Sequence, residues 1–313
     1  MRINFENIHI EGILVVLPER KEEKTVLRYN AKTDSFTSDF FVYGLKYLLE
    51  NNKLNRNDIG AIVTASFTPD YLIPQLSFRV HGALELERNI LCTDINEENS
   101  GYLKGLMDAM LIAERMPDKK VVFLSGNISD KRKNDNVEYY GDDGASVTVL
   151  QHKKNDLHHT FLCKSLCKTD DIIKIHSGGF RDLFHENGNK YVCDRTAICD
   201  IMEKKLPDTI HNILVDSNFK TEDLDAVFIA DLNANVLQSI SDNCGIPTNK
   251  IIASDSLNSS ILNIRNAVEC YINRKTYDGF TCCLCDYGAG INYNVAIMEW
   301  NDLTFCDIVN SNL

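Results

Sequence analysis

The chain reads as an α/β fold made from two copies of one half. Three observations carry that expectation. Strand-like apolar runs alternate with helical stripes along the whole sequence. The runs are continuous, as in strands covered on both faces. Two blocks of the first half recur in the second, at a spacing far too long for a solenoid repeat.

Taken in order, β-rich apolar runs lie at Ile59–Phe67, Asn89–Asp94, Lys120–Ser125 and Ser146–Leu150. A second set follows at Leu224–Ala230, Lys250–Ser254, Phe280–Cys285 and Tyr293–Met298. Between them run apolar stripes at helical spacing: Tyr102, Leu106, Ala109, Met110 and Ala113 in one, and Ile261, Ile264, Ala267, Val268 and Tyr271 in another. NDIGAIVTAS (Asn57–Ser66) matches EDLDAVFIAD (Glu222–Asp231). Each is preceded by an amphipathic stretch, marked by Leu45, Leu48 and Leu49 in one half and Ile210, Ile213 and Leu214 in the other. NILCTDINEENS (Asn89–Ser100) matches KIIASDSLNSSI (Lys250–Ile261), which sets Asp94 opposite Asp255. The halves are residues 1–160 and 161–313. Such a fold places its site where strand ends of both halves meet. The candidate loops are Asn96–Gly101, Asp231–Asn235, Ser254–Ser260 and Tyr287–Gly290.

Composition narrows the function classes. With 313 residues, 44% of them hydrophobic, the chain can bury a large core. A net charge of −12 with no basic run argues against nucleic acid. The mixed stretch Arg20–Lys24 reads as a solvated face. No apolar run approaches the roughly 20 residues of a membrane span, and MRINFENIHIEG lacks the pattern of a signal peptide. A cytoplasmic protein is expected, with its 11 cysteines as free thiols. Cys92, Cys282, Cys283 and Cys285 lie in apolar runs and read as small buried hydrophobes. Cys163 and Cys167 have no second pair at ligand spacing, so no metal is expected.

At the candidate loops the chain resembles the thiolase superfamily, in particular β-ketoacyl-ACP synthase III. The family's TPDY, D-I-N-A-A-C-S-G and G-D-G-A-G-A segments are matched by FTPDYLIPQ (Phe67–Gln75), DINEENSGY (Asp94–Tyr102) and DDGASVTVL (Asp142–Leu150). Its C-terminal glycine segment is matched by YGAGINYNVAIMEW (Tyr287–Trp300), with Trp300 read as part of the last strand. The resemblance is collinear over most of the chain. It implies a five-layered αβαβα fold, a dimer, and a cap over the acyl tunnel at about residues 161–204. It also implies acyl transfer to a cysteine at a helix start, where free amides and the helix dipole favour a thiolate. A His and an Asn then stabilise the condensation transition state.

Carried over residue by residue, that chemistry is missing. The family's Cys falls on Asn99, its His on Leu232 in LNAN, and its Asn on Ser256, with Asn258 two residues further on. An amide forms no thioester, and leucine moves no proton. The family's Trp-Ile-x-x-Arg-Thr-Gly-Ile stretch at the CoA channel mouth has no counterpart between Ile13 and Tyr43. Gly288 and Gly290 are expected to keep the tight loop by the oxyanion hole, and Gly101 to allow close packing at the helix start. Glu98 and Ser100, with Glu97, stand as alternative acid–base or nucleophilic groups, although carboxylates and Ser or Asn are favoured at a helix start in any case. His176 and His185 fall in the cap region and read as surface histidines. Two readings follow. One is a non-catalytic synthase III-like subunit, paired with itself or with an active homologue, that binds acyl groups or acyl-carrier protein. The other is an acyltransferase of the same fold with non-standard residues. Neither needs a resident cofactor; acyl-CoA or acyl-carrier protein would be substrate or ligand.

Overall fold

The computed structural model describes residues 1–23, 26–97, 101–128, 142–175, 191–230, 232–254, 260–274 and 279–313. The first half runs β1 (Arg2–Glu6), β2 (Ile8–Leu17), β3 (Arg20–Glu23), β4 (Val26–Tyr29), α1 (Thr37–Glu50), β5 (Ile59–Ala65), α2 (Leu76–Ala83), β6 (Leu91–Ile95), α3 (Gly101–Ala113), β7 (Lys120–Asn127) and β8 (Gly144–His152). The second runs β9 (His158–Ser165), β10 (Ile173–Ile175), β11 (Tyr191–Cys193), α4 (Arg195–Asp216), β12 (Ala226–Ile229), α5 (Ala234–Cys244), β13 (Ile251–Ala253), α6 (Ser260–Asn273), β14 (Thr281–Gly288), β15 (Asn292–Glu299) and β16 (Phe305–Asn310).

Two six-stranded sheets form, in the orders β16-β2-β8-β7-β5-β6 and β1-β9-β15-β14-β12-β13. The orders correspond position for position, apart from the direction of the outer strand, so the duplication read from the sequence is a duplication of the sheet. The repeated blocks become β5 and β12, and each is entered through a 3-10 turn, Arg56–Asp58 and Thr221–Asp223. All eight expected strands are present. The outer strands β1 and β16 were not foreseen. Each lies in the sheet of the other half, with β1 antiparallel to β9 and β16 parallel to β2. They are short and only partly buried, so they lack the continuous apolar run that marks the central strands. Trp300 therefore does not sit in the last strand. It follows β15 and is buried against Phe280 and Tyr271, at centroid distances of 5.7 and 6.0 Å.

A second correction concerns register. Asp94 pairs with Thr64, whereas Ile229, the counterpart of Thr64, pairs with Ala253. The structural counterpart of Asp94 is Ala253, not Asp255. The reason is local. Asp94 accepts hydrogen bonds from the Leu76 and Ser77 amides at 2.6 and 3.0 Å and so caps α2. In the other half α5 is capped by Asn233, whose side chain accepts from the Val236 amide at 3.0 Å. The second edge strand needs no carboxylate there.

The layers follow from which faces are apolar. Helices α1 and α2 cover the outer face of the first sheet, and α4 and α5 the outer face of the second. Helices α3 and α6 are packed between the sheets in one continuous core with Phe5, Phe123, Phe161 and Phe228. This is the five-layered arrangement. Among the described residues no helix is long and apolar enough to cross a membrane.

One core polar group ties stability to pH. His159 on β9 is fully buried and donates from Nε2 to the Ile8 carbonyl at 3.1 Å. Burial holds its pKa down at about 4, from 6.5. The unfolded chain thus takes up a proton there before the folded one does. Stability from this group is whole above about pH 6.5 and declines towards about pH 4, by on the order of 2–3 kcal/mol. Urea titrations at stepped pH should show that decline, and it should be shallower in His159→Phe.

Candidate functional site

The elbow between β6 and α3 is where the resemblance sets the position of the family's nucleophile. Asn99, Glu98 and Ser100 lie outside the described residues, as do Ser256, Asn258, His176 and His185. The groups around the elbow are described, and they form a polar patch at the end of an otherwise apolar surface.

The patch is built on the β14–β15 hairpin. Its inner face carries Cys282 and Leu284 on β14 and Ala296 and Met298 on β15, all in the central core. Two residues further towards the turn, with side chains on the same face, come Asp286 and its cross-strand partner Asn294, then Gly288 and Asn292. Asp286 is 4% exposed. Its Oδ1 accepts from Asn294 Nδ2 at 2.8 Å, and its Oδ2 accepts from the Leu103 amide at 3.0 Å. Leu103 is the third residue of α3, so its amide is among the first-turn donors that the helix itself leaves unpaired. Burial pushes the Asp286 carboxyl well above the ordinary Asp range, with neighbouring Glu97 adding to the rise; the two hydrogen bonds act in the opposite direction. Glu97 in turn forms an ion pair with Lys104 and accepts from Asn292 Nδ2 at 3.3 Å. It is tied to α3 and to the hairpin, which is a fixed role and not that of a free base.

Of the other expected residues, Leu232 sits just before α5 and is 5% exposed. It belongs to the apolar cluster that holds Ile229, Ala230, Val236 and Ile291. Gly288 closes β14 opposite Asn292, and Gly290 lies in the three-residue turn with φ +69°. A Cβ at Gly290 would meet nothing within 4 Å, so glycine is wanted there for its backbone conformation, not for room. Gly101 does not carry the close packing expected of it. A Cβ there would make ordinary contacts, at 3.5 Å from Glu97 and 3.6 Å from Ala65. The close approach is at Gly105, where a Cβ would fall 2.5 Å from the Phe123 ring.

The thiols in and beside the central core are not activated. Cys282, Cys283 and Cys285 are buried as expected, but Cys92 is only half-buried because β6 is an edge strand. Burial raises the thiol pKa of Cys92, drives that of Cys163 to about 11, and lifts Cys282 and Cys285 well above the usual value. Such thiols stay protonated and react slowly. Among the described residues no cluster of His, Cys, Asp and Glu could hold a metal.

Asp286, Asn292 and Asn294 were missed in the sequence reading. The available signal was a charge inside CCLCDYG, in a run whose other residues mark a strand buried on both faces. The burial of Leu232 generates a prediction. Leu232→Ala should cost roughly 2–5 kcal/mol in denaturant unfolding, the cost of a core truncation.

No family model matches the chain. It is similar to β-ketoacyl-[acyl-carrier-protein] synthase III 2 of Staphylococcus epidermidis, 24% identical over 311 residues and covering 94% of each chain. Its structure is similar to that of 3-oxoacyl-(acyl-carrier protein) synthase from Burkholderia xenovorans, with a TM-score of 0.87, 16% identity and 99% of each chain covered. It is also similar to OleA from Xanthomonas campestris, solved with bound lauric acid and lauroyl-CoA, at a TM-score of 0.75 and 15% identity over 95% of this chain and all of that one. The chain is thus similar over nearly its whole length to β-ketoacyl-ACP synthase III proteins, and it has the fold of the 3-oxoacyl-ACP synthase III structures.

Proposed function

We propose that this chain is a 3-oxoacyl-ACP synthase III-like protein of fatty-acid or polyketide-like synthesis that has lost condensation chemistry. In this reading it serves in the cytoplasm as a dimer subunit or as a binding protein for acyl groups and acyl-carrier protein. The observation that carries the reading is Leu232. The residue that replaces the family's proton-handling His is an aliphatic side chain packed into an apolar cluster. Asn99 and Ser256, at the positions of the Cys and Asn, point the same way. The Oδ1 and Nδ2 of an Asn at the elbow cannot carry an acyl group as a thioester.

The dimer part of the proposal is supported by an exposed apolar surface. Tyr71, Leu72 and Ile73 are open to solvent, Leu72 and Ile73 at 72% and 83%. Phe78 on α2 and Leu91 at the start of edge strand β6 add to it. The loop is anchored by its polar residues. Asp70 accepts from the Ser38 amide at 3.1 Å and from Arg79 Nε at 2.9 Å, and the Arg79 guanidinium lies 5.3 Å from the Tyr71 ring centre. An exposed apolar loop beside a strand that is at the sheet edge among the described residues is a surface that a partner subunit would cover.

Two experiments test this reading. Intact-mass analysis after incubation with a panel of acyl-CoAs and acyl-carrier proteins should show no covalent acyl adduct, while an active homologue is labelled in the same assay. A stoichiometric adduct on one residue, or condensation by the pure chain, would overturn the loss of chemistry and favour the acyltransferase reading. Sedimentation analysis should show a dimer, alone or after mixing with an active homologue. The double substitution Leu72→Asp and Ile73→Asp should shift it to monomer without loss of secondary structure.

A further inference from the structure

The last strand builds a hollow far from the elbow. Between the end of α6 and the start of β16 lies a cavity of about 450 Å³, in the size range that holds a small ligand. Thr304 on its wall donates its amide to the Glu11 carbonyl at 2.7 Å, and Glu11 pairs with Lys120 at the start of β7. Strands β5, β6 and β7 are parallel. The hollow therefore opens at the end of the first sheet where β7 begins, whereas the elbow follows the C-terminal end of β6.

One side of the hollow is fixed by the core. Tyr271 is 6% exposed and packs against Phe280 and Trp300, with ring centres 5.9 and 6.0 Å away. The Arg274 guanidinium lies 3.5 Å from the centre of the Tyr271 ring, and its Nη1 donates to the Tyr271 carbonyl. A planar cation stacked on a buried ring is held in one orientation.

Three further charges line the cavity with Arg274: Lys53 after α1, Asp302 before β16 and Asp307 on β16. The side chains of these three make no hydrogen bond or ion pair with another described residue. Asp307 and Arg274 act with opposite sign on the Cys306 thiol, which also lines the cavity, so both signs of charge are felt inside it. A ligand of one sign would gain from two of the four groups and lose to the other two. A ligand that carries both signs can gain from all four. We propose that this hollow is a binding site for a small zwitterion of the α-amino-acid class, free or as a dipeptide, with Lys53 and Arg274 taking its carboxylate and Asp302 and Asp307 its ammonium. Ile272 and Leu303 on the wall suit an aliphatic side chain. The site is separate from the elbow and does not depend on whether the elbow is catalytic.

Isothermal titration of the full chain with leucine and with leucyl-leucine tests this. At least one of the two should bind saturably. The analogues of the binder with a blocked end, N-acetylated to remove the ammonium or amidated to remove the carboxylate, should each bind at least about tenfold more weakly, the loss of a charge-assisted hydrogen bond. Lys53→Gln and Asp307→Asn should each weaken binding of the zwitterion by a similar factor. Asp302→Asn should do the same. Asp302 has φ +52°, a conformation that asparagine also adopts, so this variant removes the charge and keeps the backbone. Circular dichroism of the three variants should match the unsubstituted chain, because none of these side chains is bonded to another described residue. Equal affinity for the blocked analogues would overturn the proposal. So would binding that survives all three substitutions unchanged, or no binding of either zwitterion at about millimolar concentration.

Discussion

The structure depends on α3 being buried between two sheets. A helix in that position must be apolar on nearly every side, and Tyr102, Leu103, Leu106, Met107, Ala109 and Met110 make it so. It must also approach the first sheet closely. Gly105 allows this, since any side chain there would overlap the Phe123 ring. With α3 and α6 shared by both sheets, one core runs through the molecule and the two halves cannot separate without exposing it. The end strands reinforce the join, because β1 and β16 each complete the sheet of the opposite half.

That arrangement also brings the start of α3 against the hairpin of the second sheet. Within a continuous apolar surface, the only way to place polar chemistry is to let it appear at the end, where the turn reaches solvent. Asp286, Asn294 and Asn292 follow the apolar pairs of β14 and β15 in that order along one face. Asp286 and Glu97 are thereby tied to α3, whereas Leu232 belongs to the apolar cluster that α4 and α5 form with the second sheet.

The duplication shows how two copies of one plan diverge. The α2 cap is a carboxylate from the edge strand, Asp94, while the α5 cap is Asn233 in the preceding loop. The inner hairpin carries Ser125 and Ser146 in one half and Asp286 and Asn294 in the other. Both pairs fit the same backbone register.

The sequence by itself determined β5–β8 and β12–β15 and the stripes of α1, α3, α4 and α6, because strands buried on both faces leave continuous apolar runs and amphipathic helices a regular stripe; β2 and β9, although inside the sheets, were not read from it. The paired blocks Asn57–Ser66 and Glu222–Asp231 likewise made the duplication legible. What only the tertiary structure decided are relations between segments far apart in the chain. The exchange of β1 and β16 leaves no local signal, since edge strands carry little apolar periodicity. Gly105 looked no different from Gly101 until the Phe123 ring was placed beside it. Asp286 lies 183 residues from the Leu103 amide that it accepts from, and nothing in a strand's own sequence tells which helix start will face it.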